Sequence, residues 1–509
     1  MSQAYLAIDL GASSGRAMIG LLEGDPPRLT LEEVHRFEHH PCMTPTGPVW
    51  DLTGIWRNTL QGLRAAAVWC REHGAQLVSI GVDTWGVDWT LVGSSGELLG
   101  LPHCYRDPQN EAACQRVLDQ LGGFDRLYER TGIQRMAFNT LFQVAARHAA
   151  EPNLFEAAER LLFLPDLLHY WLSGEMVNER TIASTSSMLN VANGDWDRTL
   201  LEQLGLPTHI LGTIVEPGTL VGQLRDELAS ATGAPQHLQV IAPASHDTAS
   251  AVAAVPVSEK AAQQGWAYIS SGTWSCLGAE LSAPITTAEA AQVPFTNELG
   301  VGSTVRFLKN IAGLWLVQEL RREMKEYNTD ADYDTLTNLA EGAEPLRTLI
   351  DPNAPQFASP GNMAEKIRAF ARDTGQPEPD NPGRLVRCCL ESLALCYRHT
   401  SEQLSAVVGH PIGKLFVVGG GTQNRLLNQL TADAMDCPVS SGPVEATAAG
   451  NVLVQAMGRG AIRSTTEIRD VVVRSFPLEE HERNRDDTLW SKVQERYLSL
   501  VADASAVTG

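Results

Sequence analysis

Two short segments carry groups suited to holding phosphate, and a third suits a flat ring or a ribose beside it. The first is Asp9-Leu10-Gly11-Ala12-Ser13-Ser14-Gly15-Arg16. Gly11 and Gly15 permit backbone angles and close approaches that a β-carbon resists. Successive N–H groups in such a turn form a nest for an anion. Ser13 and Ser14 add hydroxyls, Arg16 adds a fixed positive charge, and Asp9, at the end of an apolar run, could hold a hydrated Mg2+. An ordinary hairpin with a turn aspartate is the competing reading. The second segment, Ser270-Ser271-Gly272-Thr273-Trp274, offers the same chemistry and is weak evidence alone. Two such hairpins at matching places in two halves of a chain suggest a clamp around a triphosphate. The third is Val417-Val418-Gly419-Gly420-Gly421, where glycine after a strand lets a flat ring or a ribose approach the backbone. A plain strand–helix turn would read the same way.

A fourth segment, Ser245-His246-Asp247-Thr248, could perform the chemistry. A carboxylate at a strand end can accept the proton of a sugar hydroxyl as its oxygen attacks phosphorus, help that is typically worth about 10²–10⁴-fold. The rest of phosphoryl transfer is positioning and charge neutralisation. His246 could instead be a structural, hydrogen-bonded histidine, and Asp247 could cap the helix that Thr-Ala-Ser-Ala begins. In Asp83-Thr84-Trp85-Gly86-Val87-Asp88, Trp85 and Gly86 suit one wall of a sugar site, with core packing as the alternative. His35, His39 and His40 lie in a charged, surface-type strand without a Cys or Glu cluster, which argues against a metal site. Cys388 and Cys389 sit in an apolar helical stretch and read as core.

These segments need elements to position them. Residues 4–10 read as a strand, 11–15 as a turn, 16–22 and 28–37 as further strands, and 52–73 as a helix from the spacing of Leu52, Ile55, Trp56, Leu60, Leu63 and Ala67. A buried-type strand follows at 77–85. The Gly/Ser turn therefore joins two strands, unlike a P-loop or Rossmann unit, which goes from strand through Gly-rich loop to helix. The pattern returns later: strands at 266–271 and 274–280, helix at 384–408, strand at 414–418, helices at 424–435 and 445–457. This duplicated topology implies two similar α/β domains with a cleft between them. The domains are placed at 1–245 and 246–470, with a helical tail over 471–509 packing on the first, and 350–383 is read as irregular surface.

The totals exclude several classes. The chain has 509 residues, enough for more than one domain, with 43% hydrophobic and 19% charged residues, as in ordinary globular enzymes. A net charge of −21 gives no general attraction for nucleic acid or anionic lipid, so neither partner is expected. It also means that any phosphate site must be local. No window approaches the roughly 20 apolar residues of a membrane span. The N-terminus enters a strand-like stretch at once, so no signal peptide is expected. Nine scattered cysteines without CxxC spacing read as free thiols in a reducing cytoplasm. The sequence does not fix an oligomeric state.

Eight segments together carry a resemblance: IDLGASSGR (8–16), VDTWGVD (82–88), YRD (105–107), FNTLFQ (138–143), ASHDTASAV (244–252), SSGTWS (270–275), LKNIAGLWLVQ (308–318) and GPVEAT (442–447). Over nearly its whole length the chain resembles the FGGY carbohydrate kinases of the actin/Hsp70-like ATPase superfamily. The resemblance implies two duplicated actin-like (ribonuclease H-like) α/β domains with a central cleft, and ATP with Mg2+ as cofactors. It implies ATP contacts at Ala12, Ser13, Ser14, Gly15, Arg16, Thr273, Gln318 and Gly420. It implies substrate contacts at Gly86, His246, Asp247, Thr248 and Asn310, with Asp247 as proton acceptor and with Asp9 and Asp247 facing Mg2+ through water. FNTLFQ and LKNIAGLWLVQ are the more specific segments, and they imply the 1-hydroxyl of L-rhamnulose as acceptor. Another ketose or deoxysugar such as L-fuculose is the alternative, and a non-catalytic nucleotide-gated sugar sensor is the alternative of a different class. Where the resembled sequences read Thr-Asn-Glu-Gly-Gly, this chain has Thr296-Asn297-Glu298-Leu299-Gly300.

Overall fold

The computed structural model describes residues 2–326, 331–435, 437–484 and 487–507. The chain forms two compact units. The first comprises Met1–Pro256, Glu280–Leu308 and Ala446–Phe476; the second comprises Val257–Ala279, Lys309–Glu445 and Pro477–Gly509.

The first unit is built on a six-stranded sheet in the order Thr219–Gln223, Gln239–Ala242, Gln76–Thr84, Gln3–Leu10, Ser14–Glu23, Arg28–Glu38. The strands Gln3–Leu10 and Ser14–Glu23 pair antiparallel, and Gln3–Leu10 pairs parallel with Gln76–Thr84. Asp9 therefore has Arg16 as its neighbour on one side and Asp83 on the other. The helix Leu52–Glu72 starts where Asp51 accepts from the Gly54 N–H at 2.9 Å. Leu52, Ile55, Leu63, Ala66, Ala67 and Cys70 recur at helical spacing and are buried in the same core as Leu6, Ile8, Ile80 and Val82.

In the second unit the strands run Trp274–Leu281, Trp266–Ser271, Lys414–Val418, Val439–Ser441, Glu479–His481. Again an antiparallel hairpin comes first, and its inner strand pairs parallel with a strand that follows a long helix. That helix, Pro382–Val408, has Asn381 as its cap, proline at its first position and left-handed Gly409 at its end. The expected duplication is thus visible as one strand pattern occurring twice.

Several stretches fall elsewhere than their sequence suggests. Residues 246–256, 280–308 and 446–470, expected in the second domain, belong to the first unit, as do residues 471–476 of the expected tail. The tail helix Asp487–Val507, expected on the first domain, belongs to the second unit and packs on Pro382–Val408. It buries Trp490 and Tyr497, while Arg496 donates to the Leu346 carbonyl at 2.7 Å. Within 350–383, expected to be irregular, Met363–Asp373 is a helix burying Met363, Ile367 and Phe370. Its apolar positions are few, and the Pro- and Gly-rich flanks hide the period. Among the described residues, no helix is long and apolar enough to cross a membrane.

Candidate active site

The carboxyl ends of three parallel strands in the first unit carry the acidic groups, the position at which open α/β sheets present their sites. The Thr84 N–H donates to the Ser245 carbonyl at 2.9 Å, and the Trp85 N–H donates to the Leu10 carbonyl at 3.1 Å. These bonds hold the strand ends bearing Asp9 and Asp83 and the segment leading to Asp247 side by side. The turn beyond Asp9 is closed by the Gly11 N–H on the Ser14 carbonyl at 2.9 Å. Ala12 and Ser13 are exposed at its tip, and Ser14, Gly15 and Arg16 enter the second strand. A β-carbon at Gly15 would stand 2.4 Å from the Phe37 ring and 2.6 Å from Leu10 Cδ2, so a larger residue there would displace these side chains. Arg16 Nη2 lies 2.6 Å from Asp9 Oδ2.

Asp83 is fully buried and accepts from Asn451 Nδ2 on Oδ2 at 2.5 Å, while its Oδ1 has no hydrogen-bond partner. Burial, and next the charge of Asp9, push its carboxyl well above the usual carboxylate range. Asn451 is held in turn by Gln455, whose Nε2 donates to Asn451 Oδ1 at 2.6 Å and whose Oε1 accepts from Ser79 Oγ at 2.6 Å.

Asp247 is the first residue of the helix Asp247–Ala253, and His246 is the residue before it. The capping reading is therefore displaced by one position. Asp247 Oδ1 still accepts from the Thr248 N–H at 2.5 Å and from the Thr248 hydroxyl at 3.1 Å. Its side chain is 28% exposed, which leaves a face for a ligand. Burial raises its carboxyl, His246 opposes this, and the charge of Asp9 raises it again. His246 Nε2 is 3.5 Å from Asp247 Oδ1. Gly86 faces the same nitrogen, for a β-carbon at 86 would lie 3.3 Å from it. His246, Asp247, Thr248 and Gly86 are thus brought together. On the other side of the imidazole, Nδ1 is 3.2 Å from both Glu298 Oε2 and Arg306 Nη2. Burial works to raise the Glu298 carboxyl, but the Arg306 guanidinium and His246 outweigh it and hold it below its usual range.

Trp85 packs 4.3 Å from Trp50 between ring centres, and both indole N–H groups donate to Asp88 Oδ2, at 2.8 and 2.6 Å. His39 stacks on Trp85 at 5.2 Å and is buried, unlike the surface histidine that its charged strand suggested. Trp85 is accordingly a clamped, nearly buried ring.

The remaining expected contacts lie in the second unit. Thr273 is in the hairpin turn, where its carbonyl accepts from the Trp315 N–H at 3.1 Å and the Gly272 carbonyl accepts from the Leu314 N–H at 3.0 Å. Gln318 follows in the helix Trp315–Glu326, its N–H on the Leu314 carbonyl at 2.9 Å. Gly419 has a left-handed φ of 88°, and Gly421 packs so tightly that a β-carbon would sit 1.9 Å from Ser271 Oγ. Gly420 between them faces open space within 4 Å. Asn310 lies in the strand Val305–Ala312, with Cys276 Sγ 3.1 Å from its Oδ1.

Sequence patterns give Asn451 and Arg306 no role, and they bring in Asp83 only within a wall segment and Glu298 only within the Thr296–Gly300 segment. Glu298 had a signal, since it lies beside the departure at Leu299. Asn451 had none, because it sits in an Ala/Gly-rich helix far along the chain. Among the described residues, no group of three or more His, Cys, Asp or Glu is close enough to ligate a metal ion. The charge of Asp9 acts on the Asp247 carboxyl.

Comparison with known proteins adds the family. Residues 4–254 match the N-terminal domain, and residues 267–459 the C-terminal domain, of the FGGY family of carbohydrate kinases. The chain is 43% identical over 479 residues to a rhamnulokinase of Bacteroides thetaiotaomicron, covering 94% of this chain and 95% of the relative. It is 41% identical over 507 residues to a rhamnulokinase of Enterococcus faecalis, covering 98% of each. A ligand-bound xylulose kinase from Lactobacillus acidophilus shares the fold at a TM-score of 0.80 and 14% identity, covering 100% of this chain and 99% of that one. A Plasmodium falciparum glycerol kinase with ADP does so at 0.77 and 14%, covering 99% and 98%. A Gly/Ser-containing hairpin in each unit, carboxylates at the strand ends and family matches across both halves lead to one assignment: the chain belongs to the FGGY family of carbohydrate kinases.

Proposed function

We propose that this sugar kinase transfers the γ-phosphoryl group of ATP to the 1-hydroxyl of L-rhamnulose, giving L-rhamnulose 1-phosphate and ADP. The choice of sugar is supported by relatives named rhamnulokinase at about 40% identity along nearly the full chain. The chemistry is carried by one observation: a partly exposed Asp247 carboxyl, raised by burial, beside His246 Nε2 and the Gly86 opening.

In this reading Asp247 takes the proton of the sugar hydroxyl as its oxygen attacks phosphorus, and its raised affinity for a proton makes it a better base. His246, Gly86, Thr248 and Asn310 contact the sugar. Ala12, Ser13, Ser14, Gly15 and Arg16 bind phosphate, and Thr273, Gln318 and Gly420 bind the nucleotide. Open space beside Gly420 suits a flat group on the backbone. Mg2+ accompanying ATP would neutralise charge on the phosphate oxygens, with Asp9 and Asp247 holding it through water. A cytoplasmic setting fits nine cysteines, none of which is in a disulfide.

The test is a panel of ketoses and deoxysugars, L-rhamnulose and L-fuculose included, with coupled detection of ADP. The expected result is ADP release that depends on sugar and has its highest kcat/KM with L-rhamnulose. Preference for another sugar would overturn the substrate, and ADP release that no sugar stimulates would favour a nucleotide-gated binder.

A further inference from the structure

We infer that Glu298 and Arg306 are positioning residues, which fix His246 in the one tautomer that presents an Nε2–H donor toward Gly86 and the sugar. The inference rests on the sugar-kinase reading above and deepens it.

Glu298 and Arg306 are direct cross-strand partners between Thr296–Leu299 and Val305–Ala312. Arg306 is completely buried, with Nη1 3.0 Å from Glu298 Oε2 and Nε donating to the Leu299 carbonyl at 3.2 Å. A buried guanidinium with a carboxylate counter-ion keeps all its protons, so each of its nitrogens can only donate. Nη2 lies 3.2 Å from His246 Nδ1 in hydrogen-bonding geometry. Nδ1 of the neutral ring must therefore accept, and the ring proton resides on Nε2. Glu298 Oε2 is also 3.2 Å from Nδ1 but makes no hydrogen bond there, so it serves Arg306 as counter-ion.

The platform behind this contact is fixed. Tyr128 Oη donates to the Phe295 carbonyl at 2.7 Å, Asn297 Nδ2 to the Gly132 carbonyl at 3.0 Å, and the Leu299 N–H to Ser184 Oγ at 2.9 Å. The His246 N–H donates to Thr181 Oγ1 at 3.2 Å. With its backbone and Nδ1 both engaged, His246 has only Nε2 to offer, and that atom faces Asp247 and Gly86. Glu298 and Arg306 thus act on the sugar through His246, without touching it.

Two measurements decide the inference. Long-range ¹H–¹⁵N spectra of the ¹⁵N-histidine-labelled full chain, with His246 assigned by its loss in His246→Gln, should show the proton on Nε2. A proton on Nδ1 would overturn it. Arg306→Lys keeps the charge beside Glu298 but cannot hold both partners with one planar fork. Its KM for L-rhamnulose should rise about 10- to 100-fold, the loss expected for a hydrogen bond to a charged group, with KM for ATP little changed. A folded variant with unchanged sugar KM, or with both KM values rising together, contradicts the inference. If the native enzyme does not phosphorylate L-rhamnulose, the substrate reading fails, and the spectrum still decides the tautomer.

Discussion

Gly450 lies against the carbonyl of Ser250 so closely that a β-carbon at 450 would stand 1.8 Å from that oxygen. The helices Asp247–Ala253 and Ala446–Gly458 therefore meet backbone to backbone within the first unit. The Ala/Gly-rich face of the later helix is what seats the helix that begins with Asp247. The later helix also supplies Asn451, which donates to Asp83.

Gly450→Ala is expected to push these helices apart. Overpacking of this kind costs about 1–3 kcal/mol, and chemical denaturation should report a loss in that range. The value of kcat should fall as well, because Asp247 moves with its helix. Unchanged stability would show that the contact is not close.

Asp83→Asn tests the buried carboxyl. Its proton affinity in the folded chain is raised, so native Asp83 holds a proton that the unfolded chain releases above about pH 4. Its favourable contribution is complete below that pH and is lost as pH rises toward the folded value. The substituted amide has no proton to lose and can still accept from Asn451. The variant should gain stability relative to the native chain from about pH 5 to about pH 8, above the unfolded carboxyl's range near pH 4, with the gain vanishing toward acid. A gain independent of pH would contradict this account.

Trp50→Phe removes one of two indole donors to Asp88 Oδ2. Burial raises this carboxyl to about 7, and the donors from Trp85 and Trp50 restrain the rise. The carboxylate form needs the lost donor most. Destabilisation of about 1–3 kcal/mol is expected. By the same linkage, it should be larger above the folded value than in mild acid. Thermal unfolding across that range checks the slope.

Much of this was legible beforehand, for identifiable reasons. The strand Gln3–Leu10 reads as a continuous apolar run because it is buried on both faces, and the helix Leu52–Glu72 shows its period because one face is buried. The strand–Gly/Ser–strand order separated this fold from a P-loop, and Asp247 stood out as a carboxylate after a buried strand. What was hidden depends on tertiary approach. Arg306 reads as a charge in an apolar strand until Glu298 is found opposite it. Asn451 and Gln455 read as interruptions of a helix until they meet Asp83 and Ser79. The return of 446–476 to the first unit follows from the same close packing, which no local pattern announces.

Arg16→Met should separate phosphate from sugar recognition. Arg16 lies 2.6 Å from Asp9 and is 22% exposed, so its guanidinium can also reach a ligand. Loss of a charge-assisted bond should raise KM for ATP about 10- to 100-fold, with little change in KM for the sugar. A rise confined to the sugar would move Arg16 out of the phosphate site.

The most direct test of the proposed chemistry is kcat of Asp247→Asn with L-rhamnulose and ATP, measured on protein shown to be folded. Asparagine keeps the size and an acceptor for the Thr248 N–H but cannot take the hydroxyl proton. The account predicts a fall in kcat of about 10²–10⁴-fold with KM for ATP nearly unchanged. A folded Asp247→Asn enzyme with near-native kcat would contradict it.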